Sequence, residues 1–219
     1  IMQASGEFTR VGTVIALQSD STEPVLFGRA YSDPTARYKL ESVLERKPEI
    51  VILGTSRVLA LRSALFDKKV RVFNAGNGIT RLRHYRLFLR KLPPDRTPRV
   101  IVLGLDQYLF NSNFDSLAPD DMEEQWNTER PRRADFFASW KTLYADHMRG
   151  KFAVKDIFAS TSERRIGINA IVHANAFRND GSYNWGQLIA NPADPENPDY
   201  GFQNTFDRIA KGDRRFQYA

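Results

Sequence analysis

Two short runs constrain this chain more than anything else in it: Glu49-Ile-Val-Ile-Leu-Gly54 and Arg99-Val-Ile-Val-Leu-Gly104. Each is almost wholly apolar and rich in β-branched residues, and each stops at a glycine. A strand that is apolar on both faces needs cover on both, as in a parallel sheet flanked by helices. Val70-Arg-Val-Phe-Asn74 lies between the two and reads as a further strand. Arg57 to Phe66 reads as a short helix with Val58, Leu61 and Leu65 on one face. Thr80 can cap a second helix, with Leu82, Tyr85, Leu89 and Leu92 as its apolar stripe and Arg83, Arg86 and Arg90 opposite. Strand, helix, strand, helix, strand at these lengths predicts an α/β fold built on a parallel sheet.

The rest of the chain is less regular. Its 219 residues suit one large domain or two small ones. Residues 1–32 read as an N-terminal extension, in which Thr13 to Leu17 is either a short strand or the tail of a helix. Asp33-Pro34 opens a helix carrying Ala36, Leu40, Val43 and Leu44, and Pro48 stops it. Residues 33–110 form the expected α/β core, and 111–219 a mainly helical and irregular insertion. Within the insertion, Asn111 to Arg133 is polar and acid-rich, and Ala134 to His147 and Lys151 to Ala159 read as amphipathic helices. Asn169 to Phe177 reads as another helical piece, and Asn191 to Asp199, with three prolines, as a loop. No buried-strand run follows Gly104. Three strands alone leave exposed edges, so the sheet is expected to be incomplete and the core to continue beyond residue 219.

Composition removes several classes of chemistry. The absence of cysteine excludes disulfide scaffolds, thiolate metal sites and cysteine nucleophiles. Three histidines, His84, His147 and His173, leave little for a multi-histidine centre, and neither metal nor organic cofactor is expected. No apolar run reaches membrane-spanning length, and no signal peptide is visible. The net charge of +6 is uneven: Arg57 to Arg99 holds twelve Lys/Arg against two Asp/Glu. Such a segment could face nucleic acid, an anionic glycan or an acidic membrane, but a set of solvated helix faces accounts for it more simply. No nucleic-acid-binding motif accompanies it, so nucleic acid is not an expected partner.

Ligands of open parallel sheets bind beyond the carboxyl ends of the strands. Here those ends are Gly54-Thr-Ser-Arg57, Asn74-Ala-Gly-Asn-Gly78 and Gly104-Leu-Asp-Gln107. Glycine permits sharp turns and lets backbone N–H groups approach a substrate. Ser56, between a strand and a helix start, has the position of a nucleophile and equally that of a plain helix cap. Asn74 and Asn77 are candidate polar contacts or turn residues, and Asp106 a site residue or a cap. Farther on, Phe177-Arg-Asn-Asp-Gly-Ser182 places Arg178 and Asp180 ahead of Tyr183 and Trp185. That mixture suits sugar recognition, although a surface turn is the simpler reading.

The blocks "EIVILGTSRV", "RVFNAGNGIT" and "RVIVLGLDQYLFN" together resemble the SGNH (GDSL-like) hydrolase superfamily, over roughly Glu49 to Asn111. They look most like its extracytoplasmic DltD-like and alginate-acetylation-like branch. The resemblance implies a three-layer αβα, flavodoxin-like sheet with the Glu49 strand between the other two. It implies Ser56 as nucleophile, Gly76 or Gly78 as oxyanion-hole N–H donors, and Arg57 and Asn77 beside the substrate. The implied activity is a serine-dependent esterase or O-acyltransferase on a cell-envelope polysaccharide; the alternative is a non-catalytic scaffold or glycan-binding subunit. It also implies an extracytoplasmic location, a possible membrane O-acyltransferase partner, and membrane association through an upstream segment. Two departures stand out. The usual G-x-N-D block has Asp106 where an asparagine donor is expected, which leaves Asn74 as a candidate substitute. The D-x-x-H block that supplies the base is missing, since none of the three histidines fits it.

Overall fold

A computed structural model of the chain describes residues 1–111, 122–127, 133–159, 161–186, 207 and 210–212. The expected strands are present as β2 (Ile50–Leu53), β3 (Val72–Asn74) and β4 (Val100–Leu103). They form a parallel sheet in the order β3-β2-β4, so the first of the three lies in the middle as expected. Ile52 is in register with Asn74 on one side and Val102 on the other, and Leu53 faces Leu103.

Helix α1 (Val11–Asp20) decides the Thr13–Leu17 ambiguity in favour of a helix. Helix α2 (Thr35–Arg46) opens with the Asp33 carboxylate accepting from Thr35 N–H at 2.9 Å. It closes at Lys47, whose φ of 46° takes the chain out of helix just before Pro48. Helix α3 (Leu82–Arg90) follows β3, but its inward face is His84, Tyr85 and Phe88, whereas Leu82 is exposed. Leu89 and Leu92 of the expected stripe pack partly buried against the core, so the stripe holds except at Leu82 and is widened toward His84 and Phe88. His84, which would sit at the surface on the expected stripe, is buried with its Nδ1 3.1 Å from Thr80 Oγ1.

The expected helix from Arg57 to Phe66 is replaced by two 3₁₀ segments, Ser56–Ala60 and Ser63–Leu65. Asn74 explains why. Its buried Nδ2 donates to the carbonyls of Val58 (2.7 Å) and Leu61 (2.8 Å), and Val58 O also accepts from Leu61 N–H at 3.0 Å. An α-helix would need those carbonyls for N–H groups four residues on.

A second, mixed sheet was not legible as such. It contains β1 (Val25–Phe27), β5 (Arg164–Ile166), β6 (Asn175–Phe177) and β7 (Tyr183–Trp185), in the order β5-β1-β6-β7. The segment after β4 therefore carries strands as well as the expected helices. It holds α4 (Met122–Asn127), α5 (Arg133–Met148), α6 (Val154–Ile157) and α7 (Ile168–His173) together with three strands. Those strands have three residues each and include Arg164, Arg165, Asn175 and Asn184, too short and too polar to show an alternation. The expected helix at Asn169–Phe177 ends at Ala174, where φ is 54°, and becomes β6; that at Lys151–Ala159 shrinks to α6. The proline-rich Asn191–Asp199 stretch lies outside the described residues.

The two sheets meet on α2. Tyr38 is fully buried with its ring 5.2 Å from Phe27, 5.4 Å from Phe177 and 6.4 Å from Phe73, and its hydroxyl donates to Gln18 at 2.7 Å. Burial pushes its pKa up to about 12, against the opposing pull of Arg46 and the Gln18 hydrogen bond. Beside it, buried Lys39 donates to Asn74 O at 2.9 Å and to Gly181 O, with the Phe177 ring 4.1 Å from its Nζ. Burial drives the pKa of this ammonium well down, although Asp180 pulls it up. Lys39 therefore ties the β6–β7 turn to the end of β3.

Candidate functional site

The carboxyl ends of β2, β3 and β4 converge on one side chain, that of Val58. A Cβ on Gly54 would lie 2.8 Å from Val58 Cγ1, one on Gly76 2.5 Å from Val58 Cγ2, and one on Gly104 would overlap Cγ1. The three strand-end glycines thus make room for a valine that plugs the top of the sheet. In the described geometry the glycines have a packing role.

Around that plug the loops are fastened to each other. Thr55, not Ser56, occupies the cap: its Oγ1 accepts from Arg57 N–H at 3.4 Å and donates to Asp106 Oδ2. Arg57 Nε lies 3.5 Å from Asp106 Oδ1, and its guanidinium stands 5.7 Å from the centre of the Tyr108 ring. Tyr85 OH donates to Gly104 O at 2.5 Å, and burial next to Asp106 and Tyr108 pushes its pKa up to about 12. Asp106 stands at the cap of the following 3₁₀ segment, Gln107–Phe110, but its carboxylate is turned back to Thr55 and Arg57.

The β3 loop is equally self-contained. Gly76 N–H donates to Asn74 Oδ1 at 2.8 Å, Gly78 N–H to Ala75 O at 3.4 Å, and Asn77 N–H to Gly54 O at 2.9 Å. Both amide hydrogens of Asn74 are spent on Val58 and Leu61. Asn74 therefore acts as a brace, and it has no donor left for an oxyanion. Asn77 has φ of 62°, the left-handed turn conformation that asparagine tolerates.

Ser56 is different. It is exposed, and its hydroxyl has no hydrogen-bond partner among the described residues. As the first residue of its 3₁₀ segment, it also has no earlier carbonyl of that segment for its N–H. Ser56, Leu59 and Asn77 form one wall of a cleft of about 780 Å³. The loop from Arg29 to Thr35 lines another side, Ser139 and Thr142 of α5 a third, and Phe177, Tyr183 and Trp185 an aromatic end. Those three rings pack edge to face, 5.0 Å and 4.9 Å apart in sequence.

The Arg29–Thr35 wall is held from below by buried Glu7. Its carboxylate accepts from Ala30 N–H (2.9 Å), Tyr31 N–H (2.8 Å) and Ile168 N–H (3.0 Å). Burial lowers the Arg29 pKa, with Glu7 and Asp33 opposing that shift, and burial together with Asp146 raises that of Tyr31. Single-sequence reading missed this wall, because its members are gathered only by the pairing of β1 with β5 and β6. Tyr183 and Trp185 were the one visible signal.

Arg178 and Asp180 are not part of the cleft lining. Arg178 donates to Tyr183 O and Asn184 Oδ1 and shapes the β6–β7 hairpin. Asp180 accepts from Ser63 N–H and Oγ (2.8 and 2.9 Å) and from Ser182 N–H and Oγ (3.0 and 2.6 Å). Its role in these contacts is to fasten the turn. His147 Nδ1 lies 3.1 Å from Phe152 O, and none of the three histidines lines the cleft. Among the described residues no group of three His, Asp or Glu is placed to hold a metal ion, and no helix is long and apolar enough to cross a membrane. Arginines of the basic stretch are also dispersed: Arg71 and Arg99 flank Glu49 at 3.6 Å each, and Arg96 donates to Leu44 O. Comparison with known proteins returns no match, whether to a family model, a curated protein or a solved structure.

Proposed function

We propose that Ser56 is the nucleophile of a serine-dependent esterase or O-acyltransferase that acts on a cell-envelope polysaccharide. The observation that carries this reading is its unpartnered hydroxyl on the cleft wall, with the capping role already filled by Thr55. In the proposed reaction Ser56 Oγ attacks the acyl carbon and the alcohol of the ester leaves, which gives an acyl-serine that water or an acceptor hydroxyl then resolves. The Ser56 N–H is the donor best placed for the oxyanion, since those of Gly76 and Gly78 are engaged. The base that takes the Ser56 proton, and returns it to the departing alcohol, is not one of the three histidines, since none of them lines the cleft. The sugar lies along Tyr183 and Trp185. In this reading the β3-β2-β4 sheet is the centre of a flavodoxin-like SGNH core, and the protein is extracytoplasmic, with a membrane O-acyltransferase as a candidate partner.

A fluorophosphonate probe tests the assignment. Labelling of this chain is expected to be slow, to occur at Ser56 by peptide mass spectrometry, and to be accelerated by imidazole as a substitute base. Ser56→Ala should remove it. Modification spread over other serines, or none at Ser56 with imidazole present, rejects the nucleophile.

A second reading, a non-catalytic glycan-binding subunit, is favoured by the engagement of the Gly76 N–H with Asn74. Under it, affinity for an O-acetylated polysaccharide is unchanged in Ser56→Ala and falls in Trp185→Ala, with no acyl release from any form of the protein.

A further inference from the structure

Helix α5 has an inner face and an outer face that are both apolar. Inward, Leu143 packs with Met2, Phe152, Ile157 and Ile168. Outward, Phe137, Trp140, Tyr144 and Met148 are each between 57% and 69% exposed. At about 100° per residue these four positions fall within an arc of about 80°, so they form one continuous stripe along the helix. Trp140 and Tyr144 stack on each other, centroids 6.3 Å apart and planes 16° from parallel, which leaves a broad aromatic surface open to solvent. Exposed apolar residues scattered singly need no explanation, but four large ones in a row on one helix do.

The charges beside the stripe indicate what it meets. From Phe137 to Ala159 the chain carries four Lys/Arg and two acidic residues. Lys141 follows Trp140 and is exposed; Arg149 follows Met148, 71% exposed; Lys155 is exposed on α6. Both acids are turned inward to protein groups. Asp146 pairs with Lys151 at 2.8 Å and accepts from Tyr31 OH at 3.2 Å, and Asp156 accepts from Ala153 N–H at 2.9 Å. The result is an aromatic stripe flanked by exposed Lys141 and Lys155, with exposed Arg149 4.0 Å from Asp146 and both of these acids engaged by protein groups. Trp and Tyr favour the headgroup level of a bilayer, where a ring can be half-buried and its polar atom wet. Basic residues at that level are attracted to anionic lipid.

We propose that the outer face of α5 is a docking surface for an anionic lipid bilayer, which the chain meets side-on through Phe137, Trp140, Tyr144 and Met148. This surface is separate from the Ser56 cleft, and its test does not depend on any activity there.

The test is co-sedimentation of the whole chain with vesicles of phosphatidylcholine containing phosphatidylglycerol, against vesicles of phosphatidylcholine alone. Tryptophan emission is followed in parallel. Binding to the anionic vesicles is expected, with a blue shift from Trp140, and it should weaken as salt is raised. Trp140→Ser with Tyr144→Ser, and separately Lys141→Glu with Arg149→Glu, should each lower the affinity by on the order of tenfold or more. All four side chains are exposed, and circular dichroism verifies that the variants remain folded. Failure of the parent to bind overturns the proposal. So does equal binding by the variants, which would place the contact elsewhere on the basic surface. A parent that is dimeric, and that Trp140→Ser with Tyr144→Ser makes monomeric, also overturns it by assigning the stripe to a second copy.

Discussion

Strands β2 and β4 are close to the same sequence, Ile-Val-Ile-Leu and Val-Ile-Val-Leu, in register with one another in one sheet, yet their surroundings are opposite. Three of the four β2 residues are fully buried, whereas the ends of β4 are exposed and its middle is half-buried. The register partners Leu53 and Leu103 are 0% and 45% exposed. An apolar strand therefore states the environment its sequence suits, and the rest of the chain decides whether that environment is supplied. The outer edge of β3 is supplied: the β6–β7 turn lies against it, with Asn74 N–H donating to Asp180 O at 2.8 Å. On β4, the N–H groups of Val100 and Gly104 point to β2, so those of Ile101 and Leu103 point outward. Among the described residues no strand meets them. Exposed Val100, Leu103, Leu105 and Phe110 lie along or just beyond that edge.

Matched truncations probe this difference most directly. Leu53→Ala should cost about 3 kcal/mol in urea unfolding, the ordinary cost of a cavity in a packed core. Leu103→Ala should cost under about 1 kcal/mol, because the leucine already faces water. Equal costs would break the comparison, since they would mean that β4 is covered in solution.

The loops after the two strands are compared by their glycines. Gly104→Ala should destabilise by about 2 kcal/mol, because the new methyl overlaps Val58. Val58→Ala should relieve most of that, so that the double variant is less destabilised than the sum by about 1 kcal/mol or more. Additive costs would show that Val58 is not the plug shared by the three strand ends.

How much of this was legible follows from the same physics. β2 and β4 declare themselves because four consecutive apolar residues between polar ones have few other uses. The mixed sheet does not, because Arg164–Ile166 and Asn175–Phe177 become strands through pairing with β1, about 140 residues earlier in the chain. At the site, the convergence of three glycine-bearing loops was visible, but its cause was not: a valine one residue beyond Arg57 fills the space. Ser56 and Thr55 are equally good caps on paper, and the choice between them depends on Asp106, 51 residues away from Thr55.

The covered edge offers a pH test. Burial would raise the Asp180 pKa, but hydrogen bonds from Ser182 and Ser63 outweigh it and hold the carboxylate below its ordinary value. A carboxylate with a lowered folded pKa contributes stability that is full above its unfolded value, about 4, and is lost as pH falls through the folded one. Asp180→Asn should therefore cost about 1 kcal/mol at neutral pH and flatten the acid limb of the stability profile. An unchanged acid limb would show that the β3 edge is held without this carboxylate.

The smallest expected effect is at the junction of the β2 and β4 loops, and it bears most on the site. If the proposed resemblance to SGNH hydrolases extends to this block, asparagine at position 106 would donate to an oxyanion, and Asp106→Asn should quicken the proposed attack by Ser56. The geometry argues otherwise. The carboxylate accepts from Thr55 Oγ1 and lies 3.5 Å from Arg57 Nε, so it fastens the residues on either side of Ser56. Asparagine keeps one acceptor but turns an amide N–H toward one of two groups that are already donors. The Arg57 side chain is 71% exposed, so loss of the charge pair should change stability by less than about 1 kcal/mol. The rate of Ser56 labelling by a fluorophosphonate should fall or stay level as the loop loosens. A several-fold rise would instead place position 106 at the oxyanion, and it would make the Asp106 carboxylate a brake on the nucleophile.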